Sequence, residues 1–398
     1  MSAAAWTGYA VLGVVGYLSL CSALRFRRIN KLKAKLKFTD RASLSRMTIE
    51  EAQVITKNAM YYEFPIFYDL SLRFALLRTY SVKNVAKTLV GVSDLAKNDH
   101  ASKSFAHFNP HDEQFLKAVA RMNFLHAPYI KAGKILNEDL LYVLWASMAE
   151  PVRFMRQFEW RAFTDMEHAA YGALWKHIGD LMGINYKAEL GNSEWKDGIE
   201  FMDEVTAWAG KYEDQYMKPY PEVRKLGEVL MELLYSAYPS MARPIVYNVS
   251  LVIMGDRMRR AFGFPEPSLA VSQMTYTLLL ARKLTMRFLT LPRFFGISNL
   301  GEPNPKTGRM HHYMYMKEPW YNPATFKSRW GPEAWFTWSF GGMLPGDGGA
   351  EMKPEGFLFE DLGPRNKMGK GLEEISKYGQ LASVRPSTAT AFSPLRSA

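Results

Sequence analysis

The stretch from Ala3 to Leu24, AAAWTGYAVLGVVGYLSLCSAL, carries no charge over its 22 residues. As a helix it is about 33 Å long, enough to cross a hydrocarbon core of about 30 Å. Seven basic residues follow at once without an acid between them: Arg25, Arg27, Arg28, Lys31, Lys33, Lys35 and Lys37. A cleaved secretory signal carries its positive charge ahead of the apolar run, whereas the start here, MSAAAW, is uncharged. The order predicts a single-pass anchor with its basic end in the cytosol, Trp6 and Tyr9 suiting one interface. The alternative, a helix buried in a soluble core, fits poorly with a run that has no polar face over about six turns. The endoplasmic reticulum is the expected membrane, although the chain shows no readable retrieval or lipidation signal.

Beyond the anchor, a chain of 398 residues with 48% apolar content is able to bury a sizeable core. The formal charge of +11 does not imply a nucleic-acid partner, because the seven residues after the anchor account for most of it. The tail from Arg365 onward adds six basic residues against Glu373 and Glu374, so the body between these ends is close to neutral. The single cysteine, Cys21, lies inside the apolar run. No disulfide framework and no thiolate-bound cofactor in the body of the chain is therefore expected.

Segments with a 3.6-residue period follow one another between Pro, Gly and Asn punctuation, and no run of strands stands out. Helices are predicted at about residues 48–60, 64–97, 112–127, 137–149, 164–182, 195–213, 220–237, 241–262 and 267–290. From Gly296 to Gly371 the character shifts to Gly, Pro and Trp, as in KEPWYNPATFKSRWGPEAW and LPGDGGAEMKPEGF. The expected architecture is all-α: an anchor over 1–24, a basic juxtamembrane segment over 25–47, a helical domain over 48–371 whose last part is irregular, and a tail over 372–398 too poor in apolar surface to order itself. The runs VYNVSLVIMG and TYTLLLARKL read as core helices, with a membrane-hugging face near Phe288 to Phe295 as the other reading.

Among candidate chemical groups His126 comes first, because Phe115, Val119, Met122 and His126 share one helical stripe. A satisfied core histidine and a metal or haem ligand both fit that spacing. Pro128 is expected to end or kink the helix just beyond it. Thr164 and Glu167 form a capping box at a helix start, with Gly183 as the stop. Asp165 and His168 have the spacing of half a di-iron motif, but no second copy exists in the sequence. His107 and His111 are separated by Pro110, and His311 and His312 read equally as surface residues or ligands. Trp145, Trp160 and Trp175 read as core or as pocket lining. The nucleophile elbow, the P-loop, the dinucleotide glycine motif and H-E-x-x-H are all absent from the sequence.

Several separated motifs carry a resemblance: RMNFLHAPY, NEDLLYVLW, EWRAFTDMEHAAYGALWKHIGDLMGI, ARPIVYNVSLVIMGDRMRRAFGFPEPS with LPRFFG, and LPGDGG with KPEGF. Over about residues 50–370 the chain resembles the rubber-oxygenase-like catalytic-domain family, in particular its fungal branch of endoplasmic-reticulum-bound oxygenases of the mycophenolic acid type, which shares the N-terminal anchor. The resemblance implies an all-helical fold holding haem b through one axial histidine, and dioxygen-dependent cleavage of an isoprenoid carbon–carbon double bond. The family's haem histidine falls on His126, in the motif Asn123-Phe124-Leu125-His126. A histidine-bound haem also agrees with a body free of cysteine. The family's distal arginine and threonine positions fall on Ser104 and Phe108, leaving Lys103 and His107 as the polar groups to steer bound dioxygen.

The expectation is thus a membrane-anchored haem oxygenase acting on the isoprenoid side chain of a lipophilic, prenylated secondary metabolite, with dioxygen as co-substrate and membrane lipid as its surroundings. Two alternatives stand beside it: a haem protein with other redox chemistry in a secondary-metabolite pathway, and a haem-free membrane scaffold or lipid-binding member of the fold.

Overall fold

The computed structural model describes residues 3–90, 112–236, 238–313, 315, 318–363, 365–373 and 392. Among these residues the chain is helical without a named strand, and isolated β-bridges join Leu300 with His312 and Met310 with Phe357. Helix α1 (Ala3–Arg25) is long and apolar enough to cross a bilayer. Most of its apolar side chains are open, Leu12 being 68% exposed, and only its end is packed, where Cys21 and Arg25 are buried, unlike the core helix of a soluble protein.

The basic stretch that follows is a helix of its own, α2 (Arg27–Leu36), and residues 29–47 give Ile29, Phe38, Leu44 and Met47 to the main core. Then come α3 (Ile49–Asn58), started by a Thr48–Glu51 capping box, a π-helical turn (Ala59–Glu63), and α4 (Pro65–Tyr80), which has proline in its first turn. Helix α4 is buried around its circumference, from Phe67 and Tyr68 to Phe74 and Leu77, and is the central rod of the bundle. The predicted helix 64–97 breaks at Ser81 and restarts as α5 (Lys83–Val90), because the Ser81 hydroxyl donates to the Arg78 carbonyl and closes the turn.

The bundle continues with α6 (Glu113–Lys131), α7 (Asn137–Phe158), α8 (Asp165–Leu181), α9 (Tyr186–Leu190) and α10 (Gly198–Tyr216). Neither Pro128 nor Pro151 ends its helix: α6 runs on to Lys131, and α7 runs on to Phe158 because Phe154, Met155 and Phe158 are buried past the proline. Helix α4 packs along α7, and α8 packs between α3 and α10. The α8–α10 approach needs glycine on both sides, since a Cβ on Gly172 would lie 2.1 Å from the Gly198 carbonyl oxygen.

An outer group follows: α11 (Pro221–Ser236), α12 (Arg243–Met254), α13 (Asp256–Ala261) and α14 (Leu269–Leu284), with a π-helical turn (Thr285–Leu289) at its end. The predicted helix 241–262 is split at Gly255, which adopts φ +81°. The Gly/Pro/Trp-rich segment is mostly irregular, as expected, but contains α15 (Phe326–Trp330) and α16 (Pro332–Ser339).

Candidate functional site

His126 sits in the last two turns of α6, where the helix passes from the core toward the surface. Phe115 and Val119 on its stripe are fully buried, whereas Met122 and His126 are half-buried. The exposure is that of the residue as a whole; its Nδ1 is sealed and has no hydrogen-bond partner among the described residues. Burial pushes its pKa down from 6.5 to about 4, so the imidazole is neutral at physiological pH.

Neighbouring residues hold this part of α6 from two sides. On one side, Phe115 stacks on His177 of α8 with centroids 6.0 Å apart, and Asn123 Nδ2 donates to the Leu181 carbonyl at 2.9 Å. That contact satisfies one of the free carbonyls at the end of α8. On the other side lie the glycine-rich residues 362–363 and 365–371. The fully buried Arg121 donates to the Leu362 carbonyl from Nε at 2.9 Å and from Nη2 at 2.6 Å, and to the carbonyls of Lys367 and Lys370 at 2.9 and 2.5 Å. Gly371, at φ +89°, lies against Phe124 so closely that a Cβ would come within 2.8 Å of the ring. The segment therefore closes over the turn that carries His126, and Arg121 and Asn123 are positioning residues for it.

The ring fits an iron ligand on these observations: it is neutral, its backbone is clamped, and its buried Nδ1 lacks a partner among the described residues. Leaving such an atom unsatisfied costs about 1–3 kcal/mol, which ligation would offset. Lys103 and His107, with His111, lie outside the described residues.

The other candidates resolve differently. Thr164 and Glu167 form the capping box, with the Thr164 amide donating to the Glu167 carboxylate at 2.8 Å and Arg161 pairing with both of its oxygens at 2.6 and 2.9 Å. Among the described residues there is no cluster of His, Cys, Asp and Glu able to hold a metal ion, so Asp165 and His168 are not part of a di-iron site there. His312 is buried beside the bridge to Leu300, which removes the surface reading for that residue. The three tryptophans take part in separate contacts: Trp145 donates to Thr206 at 3.1 Å between α7 and α10, Trp160 lies under Arg25 and Arg161, and Trp175 packs against Tyr171.

Two features had no signature in the sequence. One is a buried ionic network in which Arg78 of α4 pairs with Glu150 of α7 at 2.6 Å and with Glu213 of α10, and these carboxylates also meet Arg153 and Arg257. Burial alone would lower the Arg78 pKa, but the two carboxylates outweigh it and raise it. The other is a half-open cleft, about 450 Å³ counting the part open to solvent, between the first π turn, α4 and residues 297–300. Met60, Tyr61, Tyr68, Leu72 and Ile297 make its mostly apolar wall, and Asp69 and Ser298 supply polar groups.

Residues 108–287 match the family described as the ER-bound oxygenase mpaB/B'/rubber oxygenase catalytic domain. The chain is 35% identical over 385 residues to the ER-bound oxygenase mpaB' of Penicillium brevicompactum, covering 94% of this chain and 91% of that protein. It is 33% identical over 371 residues to the ER-bound oxygenase mpaB of the same organism, covering 90% and 88%, and 33% identical over 272 residues to that of Penicillium roqueforti, covering 66% and 91%.

Proposed function

This chain belongs to the family of ER-bound oxygenases of the mpaB and mpaB' type and rubber oxygenases, and on that premise we propose that it uses haem b, held by His126, to cleave a carbon–carbon double bond in the isoprenoid side chain of a prenylated secondary metabolite. Membership of this family makes the chain an oxygenase bound to the endoplasmic reticulum.

The observation that carries this reading is the neutral His126 ring, whose buried Nδ1 has no partner among the described residues, on a helix clamped between α8 and residues 362–363 and 365–371. A bound haem would supply dioxygen activation, the part of the chemistry that protein side chains do not provide. The chain's own work is to present a neutral ring in a fixed pose and to offer an apolar surface to the prenyl chain. Helix α1, read as crossing the membrane with the body on the cytosolic side, concentrates the enzyme where a prenylated substrate partitions, at about 0.8 kcal/mol per buried CH₂. Lys103 and His107 are the polar side chains proposed to act on bound dioxygen.

The test is product analysis with a farnesylated aromatic substrate under isotopically labelled dioxygen. Two shortened carbonyl fragments carrying the label are expected. A hydroxylated or dehydrogenated product of unchanged carbon count would instead place the protein with other redox chemistries.

A further inference from the structure

Helix α14 is an exposed apolar helix. Between Leu269 and Ala281 it has no charged residue, and of the whole helix only Thr275 is buried. Leu269 is 73% exposed and Leu278 61%, with Met274, Tyr276, Leu280 and Leu284 also open. The exposure continues through Phe288 and Leu289 to Phe294, Phe295 and Ile297, where Phe295 is 85% exposed. Contiguous apolar surface of this kind on a folded domain marks a contact with something else.

The occupant is indicated by what this surface adjoins. Tyr17 of α1 donates its hydroxyl hydrogen to the Leu289 carbonyl at 3.0 Å, and Arg25 of α1 reaches Thr290 Oγ1 at 2.8 Å. Tyr17 and Arg25 are eight residues apart, or about 12 Å along the helix. Residues 289–290 therefore lie alongside the last two turns of α1, on the membrane side of the first charged position. A bilayer that receives those turns receives the neighbouring π turn with them. Basic side chains border this junction: Arg28 of α2 binds the Arg293 carbonyl, and Arg287 of the π turn lies over the Phe26 ring just past the end of α1.

We propose that α14, its π turn and residues 288–297 form a second membrane-contacting surface, embedded in the leaflet where α1 ends, so that the catalytic domain lies in the bilayer instead of hanging from a tether. The inference rests on the reading of α1 as a membrane helix. Ile297 ends this surface and also lines the half-open cleft, so the cleft wall continues directly from the embedded segment. A prenyl chain dissolved in lipid would meet the cleft without crossing water.

The test uses the full-length holoprotein in vesicles of phosphatidylcholine and phosphatidylserine, in a Cys21→Ser background, with single nitroxide labels at Leu12→Cys, Leu280→Cys, Phe295→Cys and Lys187→Cys. Collision with dissolved oxygen, which concentrates in lipid, is compared with collision with a water-soluble nickel chelate. The labels at 280 and 295 are expected to behave like that at 12, favouring oxygen, while 187 on the polar helix α9 favours nickel. Labels at 280 and 295 that behave like 187, with 12 still in lipid, overturn the second surface and leave the anchor intact. Labels at 280 and 295 that meet neither reagent overturn it in favour of a protein interface. A label at 12 that favours nickel removes the anchor reading and the inference with it.

Discussion

Burial is what lowers the His126 pKa, and among the described residues no neighbouring charge contributes to the shift. The unfolded chain takes up this proton near 6.5 and the folded chain only near 4, so between those values the unfolded state holds more protons. Stability of the haem-free protein is therefore expected to fall as pH drops from 6.5 toward 4. Thermal melts across that window should show a shallower slope for His126→Gln than for the wild type; equal slopes would contradict the neutral, buried ring. Arg121 makes a second prediction. Arg121→Met removes four hydrogen bonds to carbonyls of the closing segment and is expected to cost about 2–4 kcal/mol in urea unfolding, with early proteolysis at Lys367 and Lys370. The stripe through Phe115 and Val119 was enough to single out His126 from sequence. Arg121 was not legible in the same way, because its partners lie 241 or more residues away and are backbone carbonyls, which leave no pattern in side-chain identity.

At the scale of elements, local rules worked where the governing contacts were local. The Thr164–Glu167 box was readable because both partners lie within four residues. Thr164→Ala is expected to cost about 1 kcal/mol. Glu167→Ala should cost more, because it also leaves Arg161 without its carboxylate; chemical denaturation of the two variants measures the difference. Helix ends were misjudged where tertiary packing overruled a breaker. Helix α7 continues past Pro151 because Glu150 just before it is tied to Arg78 and Arg153, and buried aromatics follow. The Gly172–Gly198 contact belongs to the same class, since two glycines 26 residues apart do not announce that they touch. Gly172→Ala must push α8 off α10, and its melting temperature should fall further than for an ordinary overpacked core position, which costs about 1–3 kcal/mol.

The whole molecule is a helical bundle joined at two places that charge counting alone does not reveal. The first is the network around Arg78, which ties α4, α7 and α10 together. Arg78→Met would leave Glu150 and Glu213 buried with Arg153, Arg257 and the Tyr142 hydroxyl as their remaining partners among the described residues, and a loss of about 3 kcal/mol is expected in equilibrium unfolding. The second is the junction where Arg25 and Arg28, read in the sequence only as cytosolic markers, bind Thr290, Glu63 and the Arg293 carbonyl. The apolar N-terminal helix, the all-helical class and the family were legible because they rest on composition, period and several motifs in order. The junction and the cleft were not, because they depend on how distant segments meet. The measurement that tests the central claim most directly is the absorbance spectrum of full-length protein, purified in detergent after expression with haem supply, beside that of His126→Ala. A Soret band with near-stoichiometric haem in the wild type, lost or strongly shifted in the variant, is the predicted result; a colourless but well-folded wild type, or a variant with an unchanged band, would contradict it.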